Sequence, residues 1–259
     1  MSERFLDGKH AVVTGAGRGI GAAIAMEMAR LGANVTLLGR DRARLDARAE
    51  AVAQAHGVET AAVRCDVTDG AAVAEAFRVA RETFGPPYVL VNNAGEAAGA
   101  KLVDTTRALW DRMLAVNLTG SFLCMQQVLP AMIEAKAGRI VTVASMSGLK
   151  AYQNISAYVA AKHGVVGLTK AAALETAKHG VTVNAVCPGY TDTDMARNAV
   201  ETLVRGGKSE AEARQMILRT IPRRELIRPE EVAAVVGFLC APAAVAVTGQ
   251  AIPISGGEL

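Results

Sequence analysis

The chain is predicted to be an α/β protein, a doubly wound parallel sheet of seven strands with helices on both faces, formed as one domain over residues 1–259. Three observations predict it. Short, β-branched apolar runs alternate with longer amphipathic stretches, the pattern of repeated strand–helix units. The first run breaks into a glycine-rich turn that leads straight into a helix. Gly15, Asp66, Asn93, Ser145 and Pro188 each follow the end of an apolar run, so a parallel sheet gathers them on one rim, where such sheets bind ligands.

The elements follow in order. Lys9-His10-Ala11-Val12-Val13-Thr14 reads as a buried strand, Gly15-Ala16-Gly17-Arg18-Gly19-Ile20-Gly21 as the turn, and Ala22 to Leu31 as a helix. Val35 to Leu38 is the second strand and Arg42 to His56 a helix with a charged outer face. Thr60 to Arg64 and Gly70 to Phe84 repeat the unit, and Tyr88-Val89-Leu90-Val91 is a buried strand ending at Asn92. One long helical stretch runs from Thr106 to Ala135, with Pro130 near its end. Arg139 to Ala144, Val181 to Val186 and Gln250 to Ile254 complete the sheet, with a small, apolar helix over Ala157 to Leu168. The exception is Thr191 to Arg228, which is polar, helical in tendency and broken at Gly206-Gly207.

Bulk properties narrow the function class. With 51% apolar residues the chain can bury a large core, and a net charge of +3 is too small for a nucleic-acid binder. No apolar stretch is long enough to span a membrane, and Met1-Ser2-Glu3-Arg4-Phe5 lacks the apolar run of a secretory signal. Cys65, Cys124, Cys187 and Cys240 have apolar neighbours and no paired spacing, which argues for buried free thiols in a cytoplasmic protein and against disulfides or a metal site.

The chemistry is concentrated in Ser145, Tyr158 and Lys162. Tyr158 and Lys162 are four residues apart, so on a helix they share a face. An adjacent ammonium is expected to favour the phenolate and bring the tyrosine pKa, ordinarily near 10, toward neutrality. Such a group passes a proton to a carbonyl oxygen, which the neutral Ser145 hydroxyl holds in place. Taken alone, a Tyr and a Lys at this spacing are common surface residues. The glycine turn upstream adds weight: glycines let backbone approach a pyrophosphate, and a helix N-terminus presents unpaired N–H groups and a positive dipole.

Thr14-Gly15-x-x-x-Gly19-x-Gly21, Asn92-Asn93-Ala94-Gly95, Asn117, Ser145, Tyr158-x-x-x-Lys162 and Pro188-Gly189 resemble, in order and spacing, the motifs of the short-chain dehydrogenase/reductase family. The match runs from about Leu6 to Gly256-Gly257 and implies a Rossmann-type fold. The resemblance implies that Tyr158 is the proton donor, that Lys162 holds the nicotinamide ribose and lowers the tyrosine pKa, and that Ser145 polarises the carbonyl. Asn117 is then the holder of a water that relays protons to the lysine. Gly15, Gly19, Ile20 and Gly21 form the cofactor turn, Asp66 reaches the adenine amine, and Val67 packs on the ring. Asp66 is equally suited to cap the following helix. Asn93, Ala94 and Gly95 line the adenosine ribose, while Pro188, Gly189, Thr191 and Thr193 contact the nicotinamide carboxamide and diphosphate. Thr191 to Arg228 is the substrate lid.

Cofactor choice turns on Leu38-Gly39-Arg40-Asp41. Gly39 stands where an NAD-type carboxylate is usual, and Arg40 with Arg18 supplies guanidinium groups for a 2′-phosphate. NADP(H) is expected over NAD(H), unless Asp41 turns inward. The lid carries Arg197, Arg205, Lys208, Arg214, Arg219, Arg223, Arg224 and Arg228 against Glu201, Glu210, Glu212 and Glu225. That excess suits a phosphorylated carrier such as coenzyme A or an acyl carrier protein, although a solvated face has the same composition. The layout resembles 3-oxoacyl-thioester reductases and 3-hydroxybutyrate dehydrogenases, and reduction of a 3-oxoacyl thioester is the expectation. The alternatives are another secondary alcohol or cyclic ketone and, in a different class, a silent cofactor-binding regulator. The apolar segment Thr248 to Gly257 resembles the family's subunit-contact strand, so a homotetramer is expected.

Overall fold

The computed structural model describes residues 4–258; Met1–Glu3, part of the leader expectation, and Leu259 lie outside the described residues. Seven strands, β1 (His10–Thr14), β2 (Asn34–Gly39), β3 (Thr60–Arg64), β4 (Val89–Asn92), β5 (Gly138–Val143), β6 (Val181–Pro188) and β7 (Ala251–Ile254), form one sheet in the order β3-β2-β1-β4-β5-β6-β7. Every pairing is parallel. The chain builds outward from β1 to β3, then returns to place β4 on the other side of β1, and the crevice opens where the direction reverses.

The apolar runs lack alternation because both faces of the sheet are covered. In β1, Ala11 and Val13 enter one core with Ile24, Met28, Val232 and Val236, while Val12 faces the opposite core with Phe77, Met125, Val128 and Ile140. The first core lies under α1 (Gly19–Arg30), α2 (Arg42–His56) and α9 (Pro229–Cys240); the second lies under α3 (Gly70–Phe84) and α5 (Gly120–Glu134). Phe77 is completely buried, and truncating such a ring costs about 3–5 kcal/mol.

Several boundaries differ from expectation: the helix expected over Ala157 to Leu168 runs on to Thr176 and β6 to Pro188, and two further differences fall at the candidate site. Helix α1 begins at Gly19 rather than Ala22, inside the glycine turn. The single helix expected from Thr106 to Ala135 is α4 (Arg107–Leu114), a π turn over Ala115–Thr119, and α5. After α6 (Ser156–Thr176) and β6, the segment 191–228 folds as α7 (Asp194–Arg205) and α8 (Glu210–Thr220), its ends joined by a parallel bridge between Thr191 and Ile227. Among the described residues no helix is long and apolar enough to cross a membrane, and no cluster of three or more His, Cys, Asp or Glu side chains is suited to a metal. All four cysteines are free and buried.

Candidate active site

The strand ends bring the expected residues to one rim. Thr14, the last residue of β1, locks the two halves of the rim together: its hydroxyl accepts from the backbone N–H groups of Asn93 and Ala94, both at 2.9 Å. Asn93 replies through Nδ2, which donates to the carbonyls of Thr14 at 2.9 Å and Gly15 at 3.2 Å. The closeness of that packing explains Gly21, where a Cβ would stand 2.3 Å from the Gly15 carbonyl oxygen. Sequence reasoning quoted Thr14 in a motif but missed its role as the lock. The N-terminus of α1 has no side-chain cap, whereas Asp41 caps α2 and Asp69 caps α3. Its first amides are therefore open to an anion.

Asn117 sits in the π turn, where the Gly120 N–H reaches back to the Ala115 carbonyl. Its Nδ2 donates to the carbonyls of Glu96 at 2.9 Å and Met113 at 3.1 Å, which aims Oδ1 the other way, buried and without a partner. A buried acceptor left so costs about 1–3 kcal/mol, a cost expected where a ligand or water completes the site. Gly95 is pinned by this group, since a Cβ there would lie 2.8 Å from Asn117 Oδ1 and 3.6 Å from Lys162 Nζ. The π turn itself has no signature in the sequence.

Lys162 is 4% exposed, and its Nζ donates to the Val143 carbonyl at 2.9 Å. Burial without a carboxylate partner pulls its pKa down to about 8. Tyr158 is also buried, its ring centroid 5.7 Å from Lys162 Nζ, and packs with Met113, Trp110 and Ile155. Here expectation is reversed: burial raises the Tyr158 pKa, and the lowering influence comes from a hydrogen bond with Ser145. Desolvation of the phenolate is the larger influence and outweighs that hydrogen bond. Tyr158 is thus fully protonated at neutral pH, as a proton donor must be. The Ser145 hydroxyl additionally accepts from the Ser147 N–H at 3.1 Å, and the Ser145 backbone meets the buried Cys187 thiol behind it.

The residues at the other end of the crevice need three corrections. Asp66 does not cap α3; it closes its own turn onto the Thr68 N–H at 3.0 Å and hydroxyl at 2.8 Å, and Asp69 does the capping. These bonds, with smaller contributions from Arg40 and Arg64, lower the Asp66 pKa. Arg18 does not stand free over the turn but pairs with Asp194 of α7 at 2.7 Å. In segment 191–228, Arg223 is committed to Glu231 at 2.6 Å, while Arg197, Arg205 and Arg214 pair with acidic neighbours. Arg219 and Arg224, with Gln215 and Leu218, line a hollow of about 550 Å³ on the same segment. Asp41 remains turned to α2, accepting from the Arg44 N–H and pairing with its guanidinium. Ile20 and Val67 pack at the ends of the two cores. Thr191 and Thr193 chain their hydroxyls to the carbonyls of Gly189 and Thr191, fixing the segment after Pro188.

A phenol held protonated, a neighbouring hydroxyl, a buried ammonium and an unpartnered amide oxygen converge beside a phosphate-sized turn: the chemistry of a carbonyl–alcohol oxidoreductase. The family model for short chain dehydrogenases matches residues 9–203, and the chain belongs to that family, whose members bind a nicotinamide cofactor. It is similar to D-beta-hydroxybutyrate dehydrogenase of Cupriavidus necator, 40% identical over 98% of this chain and 98% of that one. It is likewise similar to the 3-oxoacyl-(acyl-carrier-protein) reductase FabG of Pseudomonas aeruginosa, 38% identical over 97% of this chain and 98% of that one. Among solved structures, an actinorhodin polyketide ketoreductase variant with NADPH superimposes with a TM-score of 0.93 at 39% identity, covering 96% and 97% of the two chains.

Proposed function

We propose that the protein is an NADPH-dependent ketoreductase that reduces a 3-oxoacyl thioester to the 3-hydroxyacyl thioester. The observation that carries this is the buried Tyr158, kept protonated beside Ser145 and facing the ammonium of Lys162. The site fits a nicotinamide dinucleotide: the uncapped first turn of α1 suits the diphosphate, and the orphaned Asn117 Oδ1 beside Lys162 suits a bound water at the ribose end. When bound, the reduced nicotinamide supplies the hydride. Ser145 donates to the substrate carbonyl oxygen and polarises it. Tyr158 gives that oxygen its proton, and the Lys162 ammonium stabilises the phenolate left behind. Asn117 holds the relay that returns a proton.

NADPH is favoured because Gly39 offers no carboxylate and Asp41 is spent on the α2 cap. Parallel pairing sets Arg64 beside Gly39, adding a cation next to Arg40 that sequence reasoning passed over. A thioester is favoured because Arg219 and Arg224 flank the hollow on segment 191–228 with no acidic partner in contact among the described residues. The relatives' names alone do not choose, since a hydroxybutyrate dehydrogenase and a carrier-protein reductase are similarly identical to this chain. We further propose a cytoplasmic homotetramer with segment 191–228 as the substrate lid. The test is turnover on 3-oxoacyl-CoA esters, cyclic ketones and 3-hydroxybutyrate with NADPH and NADH. The highest kcat/KM is expected for a 3-oxoacyl-CoA with NADPH; a better value for 3-hydroxybutyrate with NAD favours the dehydrogenase instead.

A further inference from the structure

The stretch 149–155 joins the two hydroxyls of the proposed mechanism, Ser145 and Tyr158, yet most of it belongs to no regular element. One group holds its middle. Glu258, beyond β7, is 5% exposed, and its Oε1 accepts from the Tyr152 hydroxyl at 2.7 Å and lies 3.2 Å from Lys150 Nζ. The other carboxylate oxygen, Oε2, is buried, has no hydrogen-bond partner among the described residues and faces Gly189, where an added Cβ would stand 3.4 Å away. The Glu258 backbone is fixed in turn, its carbonyl accepting from the Ser255 hydroxyl at 2.7 Å. Gly189 donates to the Ile254 carbonyl at 3.0 Å, and the Arg223 N–H to that of Gly256 at 3.1 Å.

A buried carboxylate is costly unless its partners are held firmly, and two of these come from the stretch between Ser145 and Tyr158. Burial and the adjoining carboxylate push the Tyr152 pKa far up, so its hydroxyl stays a donor. At its far end the same stretch is pressed against the loop after β4: a Cβ at Gly99 would collide with the Asn154 carbonyl and with Ile155, which packs on Tyr158. The stretch is therefore held at two places, and Glu258 is the contact that sets its middle against Gly189, next after β6.

We propose that Glu258 is a positioning residue that, through Tyr152 and Lys150, sets the width of the substrate cleft between the Ser145–Tyr158 hydroxyls and Gly189. It selects how a ketone seats without touching it. This rests on the proposed ketoreductase function for its kinetic consequence, but not for the clamp itself.

The experiment compares wild type, Tyr152→Phe, Glu258→Gln, Glu258→Ala and the double variant Glu258→Ala/Tyr152→Phe in two measurements. Backbone hydrogen exchange is read first, on the protein without substrate. Residues 149–155 are expected to exchange at least fivefold faster in both Tyr152→Phe and Glu258→Ala, with β1 to β4 unchanged. Kinetics come second: KM for the ketone is expected to rise tenfold or more in Glu258→Ala, with kcat within threefold and the Kd for NADPH within twofold. The double variant is expected to be no worse than Glu258→Ala, and Glu258→Gln to recover part of the loss because its amide oxygen still accepts from Tyr152. Unchanged exchange in 149–155, or KM effects of the two single variants that simply multiply, would overturn the proposal. A wild-type protein that reduces no ketone would sink the ketoreductase function, and exchange alone would then decide whether the clamp exists.

Discussion

Lys162 and Tyr158 show how burial, rather than pairing, sets protonation at this site. The Lys162 pKa is drawn from its ordinary value down to about 8, so the ammonium is the major form at neutral pH and is lost as pH rises through that value. Because kcat/KM reports the free enzyme, reduction is expected to fall above pH 8 by up to tenfold per pH unit. Tyr158, shifted upward, contributes no limb below that point. A rate that instead rises through pH 8 would mean that the neutral amine is the active form. Stability carries the opposite sign: a base whose folded pKa is depressed opposes folding while charged, and this penalty is relieved as pH climbs from about 8 toward the unfolded value of 10.5. At the cofactor end, Arg40→Asp is expected to shift preference toward NADH, with a loss of about 1.5–3 kcal/mol in NADPH binding by fluorescence titration. Unchanged NADPH affinity would move the 2′-phosphate contact to Arg64 or the backbone. Much of this was legible in residue types and spacing: Ser145, Tyr158, Lys162 and Asn117 do converge. What escaped was the sign of the Tyr158 shift, because desolvation depends on neighbours such as Met113 and Trp110 that only the fold supplies.

At the scale of elements, the five inner strands were readable because both of their faces are buried, and helix starts were readable only in kind. Asp66 reads in the sequence as suited to cap α3, but its turn onto Thr68 leaves the cap to Asp69, which the sequence reading did not single out. Contacts between distant segments were invisible for the same reason. The Arg18–Asp194 pair spans the glycine turn and α7, and the Thr14 hydroxyl spans β1 and the loop after β4. The second contact is testable. Thr14→Val keeps the shape but removes the acceptor for two N–H groups, so destabilisation of about 2–4 kcal/mol is expected in urea unfolding, with weaker NADPH binding. A loss below about 0.5 kcal/mol would show that the strand pairing holds this loop without the hydroxyl.

The described residues expose several large apolar side chains, among them Leu174 at 84%, Phe238 at 54% and Val245 at 57%. Leu174 lies on α6 and Phe238 on α9, on either side of the sheet edge formed by β7. A symmetric homotetramer is expected, and light scattering at micromolar concentration checks it: a stable monomer would leave these residues unexplained. The central claim, that one rim of this sheet delivers hydride and proton to a ketone with Tyr158 as the donor, is tested most directly by a single turnover with NADPH deuterated on its transferred position. Wild type is expected to yield a 3-hydroxyacyl thioester bearing one deuterium on the carbinol carbon. Tyr158→Phe is expected to bind NADPH within about twofold of wild type, yet to form this product at least a thousandfold more slowly, within the range general-acid catalysis commands. Product formed by Tyr158→Phe at a sizeable fraction of the wild-type rate, with Tyr152→Phe inactive instead, would contradict the account.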